Sequence, residues 1–214
     1  MLKVLNLYAG IGGNRKLWQN VEVTAVEYEP KIAAIYKDFF PNDIVIIDDA
    51  HQYLLDHYKE FDFIWSSPPC YTHSGTNNFL NAQGVIRYPD MTLYQQIIFL
   101  SQFFEGKYCI ENVIPYYEPL IKPQIIDRHC FWANFKIKGV KVIGHIGKMG
   151  KNEKLKVKDK QEILGIDISN AKLGCGIDKY KVLNNCCHPE IGLSILNSAL
   201  NIITERNIKP GKLF

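Results

Sequence analysis

Six short apolar runs, spaced along 214 residues and interleaved with helical patterns, constrain this chain more than any other feature. KVLNLY (3–8), VEVTAVE (21–27), DIVIID (43–48), FDFIWS (61–66), KYCIEN (107–112) and HCFWANF (129–135) have strand length and are rich in β-branched and aromatic residues. PKIAAIYKDFF opens with Pro30, which suits a first helical turn, and places Ile32, Ile35 and Phe39 on one face. A long loop after the fourth run leads to a second helical pattern, LYQQIIFLSQFF. PEIGLSILNSALNIITE, with Pro189 at its start, reads as a third, amphipathic helix. Strands alternating with helices predict an α/β fold built on a doubly wound, mostly parallel sheet. Ligands of such sheets lie at the carboxyl ends of the strands.

Residues with chemistry fall at those ends. After the first run comes YAGIGGN, a tight turn whose glycines let a ligand approach the backbone. It lacks the lysine of a nucleotide-triphosphate loop and the full dinucleotide spacing, and alone it is equally a plain corner. Glu27 after the second run can accept both hydroxyls of a ribose. Tyr28 can lie against a purine, and Asp49 after the third run can accept from an amino group. Three successive strand ends of this kind point to a nucleoside-containing cofactor. After the fourth run Cys70 sits behind Pro68 and Pro69, whose fixed φ stiffens the loop that presents it. After the fifth, Glu111 can hold a proton or read an amino group, with Asn112 beside it. Arg128, just before the sixth, can reach a base oxygen or a phosphate, or form an ordinary ion pair.

The hydrophobic fraction, 47%, permits a normal core, and the length suits one domain with a small insertion. Net charge is only +3, but Lys136 to Val182 holds twelve lysines against five carboxylates. That is the footprint of a segment meeting a polyanion, or else a solvated face. None of the six cysteines forms a C-x-x-C pair, so no metal site of the usual spacing is expected. With no signal-peptide pattern and no apolar run of membrane length, a reduced, cytoplasmic protein with no membrane contact is expected.

LNLYAGIGG, AVEYEP, SSPPC, IENV and NNCCHPEIGLSILNSAL resemble, in order and rough spacing, the motifs of the DNA cytosine-5 methyltransferases. The resemblance runs from residue 3 to about 205 and implies a Rossmann-like S-adenosylmethionine-dependent methyltransferase fold. It implies a catalytic domain of residues 1–136 and 184–214, and a small basic target-recognition segment, 137–183. The implied activity is methyl transfer from S-adenosyl-L-methionine to C5 of cytosine in double-stranded DNA, on a base turned out of the helix, by a monomer or weak dimer. Cys70 would be the nucleophile, Glu111 would hold the base, Asn112 would brace the Pro-Cys loop, and Arg128 would contact the base oxygen. The turn Tyr8, Ala9, Gly10, Ile11 and Gly12 would face the cofactor. Glu27 would take its ribose, Tyr28 and Ala50 would flank the adenine, and Asp49 would take its amino group. Pro68, Leu93, Asn185 and Cys186 would complete that pocket. The loop Tyr71 to Tyr88, with Ser74 and Arg87, would close on DNA as a lid. Lys148, Lys151, Lys154, Lys156 and Lys158 would meet phosphates.

The chain departs from the family pattern in four places. Asn6 stands where the first motif usually has Asp, Ile126 where the first arginine of Q-x-R-x-R belongs, and Cys186 where Ser is usual. The recognition segment is very short, which predicts a short or relaxed target sequence and suits a phage or restriction-modification setting. Three rivals are a transfer-RNA cytosine-5 methyltransferase, whose cysteine is usually followed by QPFTR rather than YTHSG; a catalytically silent DNA- or cofactor-binding module; and an unrelated nucleotide-binding oxidoreductase, which explains the glycine turn and Glu27 but not Pro68-Pro69-Cys70.

Overall fold

A computed structural model describes residues 1–140, 155–171 and 177–201. Its strands are β1 (Leu2–Leu7), β2 (Val21–Val26), β3 (Ile44–Ile46), β4 (Phe63–Ser66), β5 (Lys107–Val113), β6 (Gln124–Ile126) and β7 (His129–Ala133). They form one sheet in the order β3-β2-β1-β4-β5-β7-β6. The first five are parallel, and β7 and then β6 add antiparallel at one edge. Helices are α1 (Pro30–Phe39), α2 (Ala50–His57), α3 (Asn77–Ala82), α4 (Thr92–Phe103), α5 (Val157–Leu164), α6 (Lys179–Asn184) and α7 (Pro189–Ala199). The chain winds outward from β1 to β3, then returns to lay β4 on the other side of β1. The crevice of a doubly wound sheet opens at that reversal.

Both faces of the sheet are covered, which is why β1 and β4 are apolar without strict alternation. Leu5, Leu7, Ile64 and Ile110 pack against Leu54 of α2 and Leu93, Ile97 and Leu100 of α4. Val4, Phe63, Trp65 and Phe131 pack on the opposite face against Trp18 and Ile191, Ile195 and Leu196 of α7. Gly192 lets α7 come down on the turn after β1: a side chain there would collide with the carbonyl of Asn14. Asn14 in turn donates from Nδ2 to Oδ1 of fully buried Asn6 at 2.9 Å. The amide at position 6 thus ties the far end of the glycine turn to its strand.

Two expectations change. The buried residues of α1 are Ala33, Ile35 and Tyr36, whereas Phe39 is exposed. Tyr36 lies inward because its hydroxyl donates to Asp43 Oδ2 (2.8 Å), which also takes Arg15. The loop after Cys70 contains α3, and α2 and β6 occur where no element was expected. The described part of 137–183 packs onto the body of the sheet. Leu164, Ile166, Ile168 and Leu183 join Ile35 of α1 and Ile11 of the glycine turn in one apolar cluster.

Candidate active site

A cleft of about 560 Å³ opens at the carboxyl ends of the central strands. Cys70, Glu111, Asn112 and Arg128 line one end of it. Cys70 is held from both sides. Ahead of it, the buried Nδ2 of Asn112 donates to the carbonyl of Pro68 at 3.0 Å. Behind it, the backbone N–H groups of His73 and Ser74 both donate to the Cys70 carbonyl at 3.0 Å. The thiol therefore has a fixed origin on a loop that the two prolines already restrict.

Burial raises the Cys70 thiol above its ordinary range, and the charge of Glu111 adds to this; a backbone hydrogen bond and Arg128 oppose it. Glu111 is buried, and burial pushes its carboxyl up to about 7. A hydrogen bond from Ser67 and the charge of Arg128 act the other way. Ser67 Oγ accepts from the Trp65 indole at 2.7 Å, which turns its hydroxyl hydrogen toward the acid. Arg128 uses Nη2 on the carbonyl of Asn184 (3.0 Å), and a guanidinium has further N–H groups to offer the cleft. The carboxyl can thus be neutral at neutral pH while a cation stays beside it, a setting for stabilising charge on a bound ring.

The other end of the cleft is built on the turn after β1. Tyr8, Ala9, Gly10 and Ile11 line it. Tyr8 has φ +54, a conformation rare for a bulky residue. Its hydroxyl accepts from Gln96 Nε2 at 2.8 Å, and burial raises its pKa to about 12, so it remains a donor. Gly10, at φ +55, faces open space: a side chain there would meet nothing within 4 Å. Its N–H donates to Glu27 Oε2 (2.9 Å), and Glu29 N–H donates to Oε1 (3.0 Å). Glu27 is thereby oriented at the end of β2 while it lines the cleft. Asp49 caps α2 by accepting from Gln52 N–H at 2.8 Å, and with Ala50 borders the same space. Tyr28, 77% exposed, stands at the rim. Pro68, Asn185 and Cys186 also line the cleft.

Gly12 and Leu93 do not line it. Gly12 (φ +81) is pressed on the Phe40 and Tyr36 rings, so its glycine serves packing, and Leu93 is buried against the sheet. Ser74 and Arg87 also lie outside it. The first part of their loop is fastened: Asn77 Nδ2 donates to the carbonyls of Tyr71 and Ser74, and Asp90 N–H donates to Thr72 Oγ1 at 3.0 Å. Arg87 lies further on, in an exposed stretch. Lys156, just before α5, and Lys158 on it are exposed, the latter 4.0 Å from Glu162. Lys148, Lys151 and Lys154 lie outside the described residues. Lys160, on the same helix, is buried, with Nζ on Asn184 Oδ1 and 3.9 Å from the centre of the Tyr180 ring. Ser67, His129, Val182 and Asn184 also line the cleft without having been singled out. Ser67 and Asn184 lie within SSPPC and NNCCHPE, motifs already noted, though neither was given a role; His129 reads as an ordinary strand residue.

The family model for C-5 cytosine-specific DNA methylases matches residues 2–113, more than half of the chain. This chain belongs to that family. Its members' reaction, S-adenosylmethionine-dependent methylation of cytosine at C5, is the reaction of this enzyme. Among solved structures, the Entamoeba histolytica methyltransferase EhMeth superposes with a TM-score of 0.58 over 96% of this chain and 99% of that one, at 12% identity, a likeness of fold. A mutant of Spodoptera frugiperda DNMT2 is 26% identical over 53% of this chain and 36% of its own, with a TM-score of 0.38. No curated protein matches the chain. Among the described residues no group of three or more His, Cys, Asp or Glu could hold a metal ion, and no helix is long and apolar enough to cross a membrane.

Proposed function

We propose that this methylase acts on cytosine in double-stranded DNA through a covalent bond between Cys70 Sγ and C6 of a base turned out of the helix. The observation that carries the reading is one cleft holding a braced cysteine, a buried acid and an arginine at one end, and an oriented Glu27 beside an open glycine at the other. The residues present fit the methyl donor. Glu27 takes the ribose hydroxyls, Tyr28 and Ala50 flank the adenine, Asp49 takes its amino group, and Tyr8, Ala9, Gly10, Ile11, Pro68, Asn185 and Cys186 line the remainder. S-adenosylmethionine supplies an electrophilic methyl group on a sulfonium sulfur.

C5 of cytosine is a weak nucleophile. Cys70 thiolate adds to C6, and the electron pair of the C5–C6 double bond moves into the ring toward N3. Protonated Glu111 gives its proton to N3 and so stabilises that charge; Arg128 faces the carbonyl oxygen on C2 of the base. C5 is then electron-rich and would take the methyl group as its bond to the sulfonium sulfur breaks, leaving S-adenosylhomocysteine. A water molecule from solvent takes the C5 proton, the C5–H electron pair re-forms the C5–C6 double bond as the C6–Sγ bond breaks to regenerate thiolate, and N3 returns its proton to Glu111. The base has to leave the stack, because C6 is out of reach inside a duplex. Lys156 and Lys158, with Ser74 and Arg87 on the loop, lie against phosphates, which give affinity more than sequence choice. The family description favours DNA over transfer RNA.

The test is base-resolution 5-methylcytosine sequencing of a methylation-free bacterial host expressing wild type or Cys70→Ala. Methylation that requires Cys70, with S-adenosylhomocysteine bound equally by both proteins, is the expected result. Wild-type rates from Cys70→Ala refute the covalent route. Methylated transfer RNA with unmethylated DNA replaces the substrate.

A further inference from the structure

His129 belongs to no motif, yet it lines the cleft beside Glu111. The two sit on adjacent antiparallel strands. Glu111 pairs with Phe131 and Val113 with His129, so the acid and the imidazole are diagonal neighbours on one face of the sheet. Nε2 of His129 lies 3.7 Å from Oε1 of Glu111, and both side chains are buried. Nδ1 of the same ring is buried without a hydrogen-bond partner. Burial, with the charge of Arg128, lowers the imidazole pKa to about 3, so the ring carries one proton at neutral pH. A proton on Nδ1 would be a buried donor without an acceptor. A proton on Nε2 points at a carboxylate oxygen. The second tautomer satisfies a group that the first wastes. At 3.7 Å the contact is electrostatic; a shift of about 0.7 Å closes it into a hydrogen bond.

We propose that His129 is the positioning residue for Glu111: its Nε2–H holds Oε1 and leaves Oε2 as the oxygen that meets the cytosine. Without it the carboxyl keeps the Ser67 hydrogen bond and the Arg128 charge, and one hydrogen bond alone does not fix which oxygen meets the base. The β6 partner of His129 is Ile126, which offers the acid no donor; at this edge of the sheet the imidazole and the Arg128 guanidinium face the acid, and Arg128 already spends Nη2 on the Asn184 carbonyl. The other titratable or charged groups that bear on Glu111 are Arg128, Cys70, Cys109 on its own strand, Cys130 on β7 and Cys187 before α7. Ser67 adds a neutral donor. The role assigned to the cytosine contact rests on the proposed function; the His129–Glu111 contact does not.

The experiment compares His129→Leu and His129→Gln with wild type in two readouts. The first is the infrared carbonyl stretch of protonated Glu111, isolated by difference against Glu111→Gln and followed with pH. The second is single-turnover methyl transfer. Leu removes a donor to the ionised acid, so its carboxyl midpoint rises by a pH unit or so, and methyl transfer slows by roughly 10- to 100-fold through misplacement of the acid. Gln offers an N–H at similar reach and restores most of both. A Leu variant with wild-type midpoint and rate overturns the proposal, as does a Gln variant no better than Leu. A wild type that methylates no nucleic acid overturns the proposed function, while the infrared midpoints still decide the contact.

Discussion

Replacing Glu111 with Gln should make the protein more stable at alkaline pH and nearly inactive. The carboxyl titrates near 4.5 when solvated and near 7 in the fold. Between those values the unfolded chain has released the proton and the folded chain still holds it, so stability falls as pH rises. The loss begins above about 4.5 and is complete once pH passes the folded value. Its size is about 3 kcal/mol, from 2.5 pH units at about 1.36 kcal/mol each. Gln cannot ionise and escapes this loss. Its amide changes the local hydrogen bonds by an amount that does not depend on pH, so the comparison must be made at two pH values. Urea unfolding of both proteins at pH 5 and pH 8 supplies it. Part of the loss is already present at pH 5, so the advantage of Gln should grow by about 2–3 kcal/mol between them, roughly 4–12 °C in Tm for a chain of this size. An advantage equal at both pH values would refute the claim that burial of an ionisable acid is what the site imposes on the fold. Such a trade of stability for activity is common at reacting centres.

Gly192→Ala should destabilise the fold by about 1–3 kcal/mol and lower Tm, because the added carbon collides with the Asn14 backbone rather than with a movable side chain; thermal melting measures it. Asn112→Ala leaves the Pro68 carbonyl without its donor and loosens the Cys70 loop, so single-turnover methylation should slow by about 10- to 100-fold while S-adenosylhomocysteine affinity, by calorimetry, changes little. Lys156→Glu with Lys158→Glu should weaken DNA binding and reduce its salt slope by up to about 2, read by titration at several ionic strengths. An unchanged slope there makes α5 a solvated face.

The five parallel strands were legible because each is a short apolar run closed by a turn, and burial on both faces makes such runs stand out. The chemistry at their ends was legible for the same reason: a strand end is a fixed point, so Glu27, Cys70 and Glu111 could be placed in one crevice before their contacts were known. Shorter features escaped. β6 has three residues and no pattern of its own. α2 is announced mainly by Asp49, whose carboxyl reads as a ligand group and also caps the helix. The lysine-rich segment shows the limit of counting charge. Lys156 and Lys158 face outward, whereas Lys160 is buried on an aromatic ring and an amide oxygen. Composition cannot say which lysine of a helix turns inward; the apolar partners at Leu164 and Leu183 decide it. His129 was invisible for a similar reason. Its meaning depends on the register of β7 against β5, which no local pattern encodes.

The same register bears on how the nucleophile is activated. On the proposed route Cys70 must be a thiolate to attack C6, yet burial and the charge of Glu111 both hold it as a thiol. The second effect vanishes when Glu111 is protonated, which is also the state that can donate to N3. One proton on Glu111 therefore serves two ends: it readies the acid for the ring and removes a negative charge from beside the sulfur. Glu111→Gln separates them, keeping the neutral neighbour and losing the transferable proton. Ultraviolet thiolate absorbance, taken as the difference from Cys70→Ala in each background, should show Cys70 ionising at lower pH in Glu111→Gln than in wild type. Methyl transfer should nonetheless be slow at every pH, because N3 receives no proton. If the thiol midpoint does not move, the Glu111 charge does not reach the sulfur, and Cys70 must be activated by Arg128 or by the bound substrate instead.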